Sequence, residues 1–228
     1  MNQKPQYIIV GGVNGAGKSS LYLTMPELFE NTIRMNADEI LRANKGNWRN
    51  DKDNAAAMKI VVKSMKNALQ EKKSFHQETT LAGRGQKKWI NEAKNNGFEV
   101  TLIYVALSTP ELAIKRVNDR IKKGGHGVPP ETIKKRYVRS LENLDELSPL
   151  CDNVLVFDNT ISLTPIFERK GERTIFDTRN KYEWLKPIKE QKSQKVSSFS
   201  IENVKKMDQE LSKKNNEQTL SRSNDKER

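Results

Sequence analysis

The chain carries a single cysteine, Cys151, in 228 residues, so it closes no internal disulfide and builds neither a zinc cluster nor a disulfide scaffold. A reducing cytosol is therefore the expected compartment. Long apolar runs are missing too: the longest, Val100 to Leu107, is far too short to span a bilayer. The N-terminus, Met1 to Gln6, enters a first strand without a signal-type apolar region, so a soluble, unprocessed chain with no membrane partner is expected. Aromatic residues are only 7% of the chain, and no basic and aromatic interleaving of the kind that stacks bases is present. Nor is there an internal repeat at a solenoid-like period.

Positive charge is plentiful. Lys and Arg number 41 against 29 Asp and Glu, a net charge of +12, which suits polyanions and phosphorylated metabolites as partners. A solvated lysine-rich surface explains part of the same excess. Residues 11 to 20 read Gly11-Gly12-Val13-Asn14-Gly15-Ala16-Gly17-Lys18-Ser19-Ser20, and from Gly12 they fit G-x-x-x-x-G-K-[ST] directly after the apolar run Tyr7 to Val10. From average residue usage, a chance match in a chain of this length is on the order of one per cent, which disfavours an ordinary glycine-rich turn. Glycine lets the main chain turn sharply and bring its N–H groups against phosphates. Gly12, Asn14, Gly15, Ala16, Gly17, Lys18, Ser19 and Ser20 are thus the candidate ATP site. Lys18 would reach the β- and γ-phosphates, and the Ser19 hydroxyl would complete the coordination of Mg2+.

Short β-rich runs alternate with helical patterns, the arrangement of an α/β protein with a P-loop kinase-like parallel sheet and helices on both faces. Five strands are expected, Tyr7 to Val10, Thr32 to Asn36, Ser74 to Glu78, Val100 to Leu107 and Asn153 to Asp158. The helical candidates between them run from Lys18 to Leu28, Asp53 to Lys72, Gln86 to Asn96, Pro110 to Lys122 and Pro130 to about Leu147. Thr109-Pro110-Glu111 reads as a threonine cap with proline at the first helical position, and Asn96-Gly97 as a left-handed helix stop. Ile166 to Glu168 and Arg173 to Asp177 can form a terminal hairpin, and Trp184-Leu185 can pack on the core. The kinase domain is set at 1–187. The basic, low-complexity segment 188–228 is expected to be a disordered tail with a transient helix near Val204 to Leu211.

Ligands of open parallel sheets bind outside the carboxyl ends of the strands, so the residues after each strand are the candidates. Asp38, after the second strand, can accept a proton from an attacking hydroxyl, or it can simply cap a helix starting at Glu39. After the third strand, Glu78 can orient a substrate hydroxyl and Thr79 can touch a phosphate or sugar, with Thr80 beside them or capping the next helix. The segment from Arg116 to Pro130 is a basic helix end breaking into Gly124-Gly125-His126-Gly127-Val128-Pro129. It reads as a lid, spanning about 116–136 and hinged on its glycines, that brings Arg120 or Arg136 toward a transferring phosphoryl group. His126 sits within it as a candidate substrate contact.

Taken together, the loop from Gly12 to Ser19, Asn36-Ala37-Asp38-Glu39-Ile40, Glu78-Thr79-Thr80-Leu81 and the Gly124 to Pro129 run resemble the zeta toxin family of P-loop kinases. They resemble most its short bacterial branch, described as predicted ABC-type ATPases. The runs Arg136 to Leu144 and Phe157-Asp158-Asn159 extend the resemblance over about residues 5–185. It implies a fold related to the nucleoside monophosphate kinases, with ATP and magnesium used to phosphorylate the 3′-hydroxyl of the aminosugar of UDP-N-acetylglucosamine. By resemblance Lys18 and Ser19 hold phosphates and metal, Asp38 is the catalytic base, Glu78 and Thr79 face the acceptor, and Arg120 and Arg136 clamp the transition state. An antitoxin is the protein partner so implied. Founding members carry Gly-Asp-x-Phe-Arg where this chain has Ala37-Asp38-Glu39-Ile40-Leu41, and a different lid motif; both departures fall on the acceptor side.

Two other functions fit parts of the sequence. A polynucleotide or RNA 5′-kinase would draw on the basic charge and predicts steep salt dependence of oligonucleotide binding, but the scarcity of aromatics counts against nucleic acid. A non-catalytic ATP-binding module would recruit a partner through its tail and show no acceptor-dependent ADP release.

Overall fold

The computed structural model describes residues 4–185. The expected tail at 188–228, its transient helix and the end of the 1–187 domain lie outside the described residues. Seven strands form one sheet in the order β2-β3-β1-β4-β5-β6-β7. They are β1 (Gln6–Gly11), β2 (Ile33–Met35), β3 (Phe75–Glu78), β4 (Glu99–Ala106), β5 (Asn153–Asp158), β6 (Thr164–Lys170) and β7 (Arg173–Asp177). The first five pair in parallel, while β6 and β7 extend β5 as an antiparallel hairpin. The hairpin anticipated at Ile166 and Arg173 is therefore real, and it takes the sheet from the five strands expected to seven.

Side chains alternate across a strand, so the unbroken apolar runs of the central strands serve both faces. Tyr7 and Ile9 join Leu102 and Tyr104 in one core with Val61, Met65 and Leu69 of α3 (Asp51–Gln70) and Ile90 of α4 (Gln86–Asn95). Ile8 and Val10 join Ile103 and Val105 in a second core with Leu21 of α1 (Lys18–Thr24) and Val117 of α5 (Pro110–Lys122). The last α-helix among the described residues, α6 (Pro130–Leu147), divides between them: Ile133 belongs to the second core, Leu144 and Leu147 to the first. Its middle consequently passes over the carboxyl edge of the sheet, pinned where Tyr137 Oη donates to Leu107 O (2.8 Å) and Tyr104 Oη meets Ser140 Oγ (2.8 Å).

Several boundaries move for local reasons. The helix expected over Lys18 to Leu28 ends at Thr24 and resumes as a 3-10 turn at Pro26–Phe29, because the residue before a proline is driven out of helical geometry and Met25 sits at φ −139°. Thr109 caps α5 by accepting from Leu112 N (3.2 Å), and Gly97 takes φ +81° after α4. Thr80 caps nothing: α4 starts at Gln86 behind Gly85, and the chain after β3 turns through Leu81 at φ +57°. Leu185 is buried against the first core with Trp184 beside it. Among the described residues no helix is long and apolar enough to cross a membrane.

Candidate active site

Gly12 to Lys18 link β1 to α1 as a tight loop whose glycines are dictated by contact as well as by dihedral angle. Gly12, Gly15 and Gly17 have φ of +141°, +83° and +90°. A Cβ on Gly12 would lie 2.4 Å from Val105 O, one on Gly15 2.6 Å from Ala113 O, and one on Gly17 2.2 Å from Asn159 Nδ2. The loop is therefore clamped between the ends of β4 and β5 and the start of α5. Asn159 Nδ2 donates to Ala16 O (2.8 Å), and Arg136 Nη1 on α6 donates to Asn14 Oδ1 (2.9 Å). Ser19 is exposed at the start of α1, with Ser20 half-buried behind it.

Lys18 is buried. Its Nζ donates to Gly12 O (2.8 Å) and Val13 O (3.4 Å) and stands 4.0 Å from Glu78 Oε1. Burial lowers its pKa. The charges of Glu78 and Asp38 oppose that shift, and those of Arg120 and Arg136 reinforce it. The four residues named after strands and in the lid therefore converge on the P-loop lysine. Arg136 is likewise lowered by burial, with Asp38 acting to restore it.

Asn36, rather than Asp38, caps α2 (Ala37–Ala43). Its Oδ1 accepts from Asp38 N (2.9 Å) and Glu39 N (3.4 Å), while its Nδ2 donates to Glu78 Oε2 (2.9 Å). One side chain thus ties the start of α2 to the end of β3 and leaves the Asp38 carboxylate free of capping. Arg34 Nη2 bridges Glu39 (2.8 Å) and Glu78 (3.2 Å), and its guanidinium lies over the Tyr22 ring at 4.0 Å. Thr79 continues the β3 ladder by donating its N–H to Val10 O (3.0 Å), and its Oγ1 accepts from Leu81 N (3.1 Å). Thr80 is half-buried in the same loop.

The lid differs from a loop hinged on three glycines. Gly124 has φ +81°, but Gly125 packs on Arg120 and Gly127 on Trp48, where added Cβ atoms would lie 2.6 Å from Arg120 Cγ and 2.6 Å from the indole. These two glycines permit close approach rather than bending. Arg120 Nε donates to His126 O (2.8 Å), so the backbone of the segment expected to act as a lid orients that arginine, while the His126 ring lies 6.3 Å from the Trp48 ring. Asn36, Asn159 and Arg34 join the site beyond the residues its sequence motifs indicate. For Asn36 a local signal exists, since asparagine immediately before an acid-rich first turn is a preferred cap. Arg34 and Asn159 depend on strand pairing that no local pattern encodes.

The arrangement sets three cations around a glycine loop with two carboxylates across from them, as phosphoryl transfer demands. Among the described residues no group of three His, Cys, Asp or Glu side chains is placed to hold a metal ion. An uncharacterized protein of Haemophilus influenzae is 31% identical over 127 residues, covering 55% of this chain and 88% of its own length. A chain of the PezAT chromosomal toxin-antitoxin system of Streptococcus pneumoniae superposes with TM-score 0.58 at 17% identity, over 93% of this chain and 88% of that one. A chain of AvrRxo1-ORF1:-ORF2 with ATP superposes with TM-score 0.63 at 14% identity, over 82% of this chain and 65% of that one. At these identities the two superpositions show the α/β P-loop kinase-like fold. The Zeta toxin family model matches residues 1–181, and the chain belongs to that family.

Proposed function

We propose that the protein is an ATP-dependent kinase that phosphorylates a hydroxyl of a nucleotide sugar, UDP-N-acetylglucosamine or a related metabolite. We propose further that it acts in the cytoplasm as the toxin of a toxin-antitoxin pair. The observation that carries the reading is Asp38, released from capping by Asn36 and set within electrostatic reach of both Lys18 and Arg136. Family membership and the toxin-antitoxin system named for the Streptococcus pneumoniae relative support it.

The P-loop fits a nucleotide's phosphates, because its glycines leave no room for side chains and its lysine is buried against the loop carbonyls. Magnesium-ATP, when bound, supplies the phosphoryl group and part of the charge neutralisation around it. Gly12, Asn14, Gly15, Ala16, Gly17, Lys18 and Ser20 would hold the phosphates, and Ser19 the metal. Asp38 takes the proton of the acceptor hydroxyl as that oxygen becomes nucleophilic. Arg120 and Arg136 offset the negative charge that accumulates on the transferring group. Glu78, held by Asn36 and Arg34, orients the hydroxyl, while Thr79, Thr80 and His126 line the acceptor side. The cations gathered around the P-loop fit a phosphorylated acceptor, and the tail's part in binding an antitoxin belongs to the same proposal.

The test incubates the protein with ATP, Mg2+ and a panel of nucleotide sugars and follows a phosphate-sized mass gain on each. Gain on a panel member that disappears in Lys18→Ala and in Asp38→Asn, with ATP still bound by Asp38→Asn, is expected. Turnover retained in Asp38→Asn removes that residue from the mechanism. Gain on RNA ends alone replaces the acceptor by a polynucleotide.

A further inference from the structure

The turn after β3 holds a leucine in a conformation that leucine avoids. Leu81 has φ +57°, and of the four non-glycine residues with positive φ among the described residues it alone is buried, at 1% exposure. A bulky side chain in the left-handed region persists only where its surroundings over-determine it. Two contacts do so here. The side chain lies over Gly11 at the end of β1, where a Cβ on that glycine would stand 3.3 Å from Leu81 Cδ2. The Leu81 carbonyl accepts from Asn143 Nδ2 on α6 (2.6 Å), which also donates to Gly83 O (3.2 Å). From Thr80 to Arg84, these are the only hydrogen bonds that reach the turn from another element among the described residues. The glycines that follow give no support, since a Cβ on Gly83 or Gly85 would meet nothing within 4 Å.

The turn fixes the state of Thr79. The Leu81 N–H points back to Thr79 Oγ1 (3.1 Å), so that oxygen accepts one hydrogen bond and donates to no described residue. Its proton is thereby left for a ligand at the end of β3, beside Glu78. The helix that holds the turn also holds the P-loop: Arg136, which donates to Asn14 Oδ1 (2.9 Å), precedes Asn143 by seven residues. Seven residues are about two turns, so the two side chains leave α6 within about 20° of each other and about 10 Å apart along its axis. On the reading of the site as a kinase, we propose that Asn143 is a positioning residue, which holds Leu81 in its strained turn and so sets the Thr79 hydroxyl for the acceptor, in register with the nucleotide loop held by the same face of α6. Glu78 has separate anchors in Asn36 (2.9 Å) and Arg34 (3.2 Å). Loss of Asn143 therefore falls on acceptor binding rather than on ATP binding or on the placement of Asp38.

The experiment compares the full chain with Asn143→Ala, Asn143→Asp and Asn143→Gln, each first shown by thermal melting to be folded and to bind a β,γ-imido ATP analogue. Hydrogen exchange, read by mass spectrometry on the peptide spanning residues 79–86, tests the hold on the turn. Initial rates with whichever nucleotide sugar gains phosphate test its use. Asn143→Ala is expected to exchange about tenfold faster in that peptide and to raise the acceptor KM about tenfold, the loss of roughly one hydrogen bond, with the ATP KM and kcat within about twofold of wild type. Asn143→Asp keeps the shape but at neutral pH has no donor for the two carbonyls, so it should be no better than alanine. Asn143→Gln keeps the amide and should recover part of both effects. A space-filling role would survive in Asn143→Asp, so wild-type exchange and KM in that variant overturn the proposal. Unchanged exchange in Asn143→Ala does so too. The two readings fail separately. Faster exchange in Asn143→Ala with no phosphate gain on any acceptor keeps the hold on the turn and removes the kinase. A phosphorylated acceptor whose KM is unchanged in Asn143→Ala keeps the kinase and removes the positioning role.

Discussion

Asn36 offers the sharpest separation of roles, because its two amide atoms act on different elements. Its Oδ1 caps α2 through Asp38 N and Glu39 N, and its Nδ2 holds Glu78. Serine is as good a cap as asparagine but has no donor long enough for Glu78, whereas alanine lacks both functions. A cap contributes about 1 kcal/mol. A hydrogen bond to a carboxylate contributes about 1.5–3 kcal/mol, taken here as about 1 kcal/mol because Arg34 still pairs with Glu78. Asn36→Ser should therefore cost about 1 kcal/mol and Asn36→Ala about 2 kcal/mol, which for a domain of this size lowers Tm by about 2–4 °C and about 4–8 °C. Kinetics should divide the same way. Asn36→Ser leaves α2 anchored and raises the acceptor KM through a loosened Glu78. Asn36→Ala also frees the first turn that carries Asp38 and lowers kcat, since misplacement of a reacting group by about 1 Å costs about 100-fold. Differential scanning calorimetry and acceptor-dependent ADP release measure both effects. Equal melting and equal kinetics in the two variants would refute the argument, because the cap would then contribute nothing.

Gly17→Ala places a Cβ 2.2 Å from Asn159 Nδ2 at φ +90°, so it should abolish ATP binding, and adding Asn159→Ala should relieve the clash but not the dihedral strain. Partial recovery of nucleotide affinity in the double variant is expected; full binding by Gly17→Ala alone would contradict the packing. His76 is buried, its Nδ1 2.7 Å from Thr32 Oγ1, and burial followed by the charge of Arg34 lowers its pKa from 6.5 to about 4. Its folded pKa lies below the unfolded one, so the unfolded chain binds the extra proton first and stability falls as pH drops from about 6.5 to about 4. That slope, on the order of 2–3 kcal/mol in total, should be absent from His76→Gln in urea unfolding carried out across the same window. Identical pH profiles in the two proteins would show that the ring titrates normally.

Much of the architecture is local in origin and was readable without coordinates. The spacing of Gly12, Gly15, Gly17 and Lys18 specifies a phosphate loop because backbone geometry leaves few alternatives, and the unbroken apolar runs of β1 and β4 specify strands covered on both faces. Thr109 and Gly97 marked helix ends by the same local rules. Tertiary structure alone decided which groups meet. Arg34 reaches Glu78 because β2 and β3 pair in a register that sets Arg34 beside His76, and Asn159 closes on Gly17 because β5 lies two strands from β1. Arg120 is aimed by a backbone carbonyl six residues away, through a loop whose Gly125 packs on Arg120 itself and whose Gly127 packs on Trp48. Propensity and periodicity act within one segment, whereas strand order and register are set by the burial of whole faces. The elements of the site were therefore determined by sequence, and their convergence on Lys18 by the sheet that carries them.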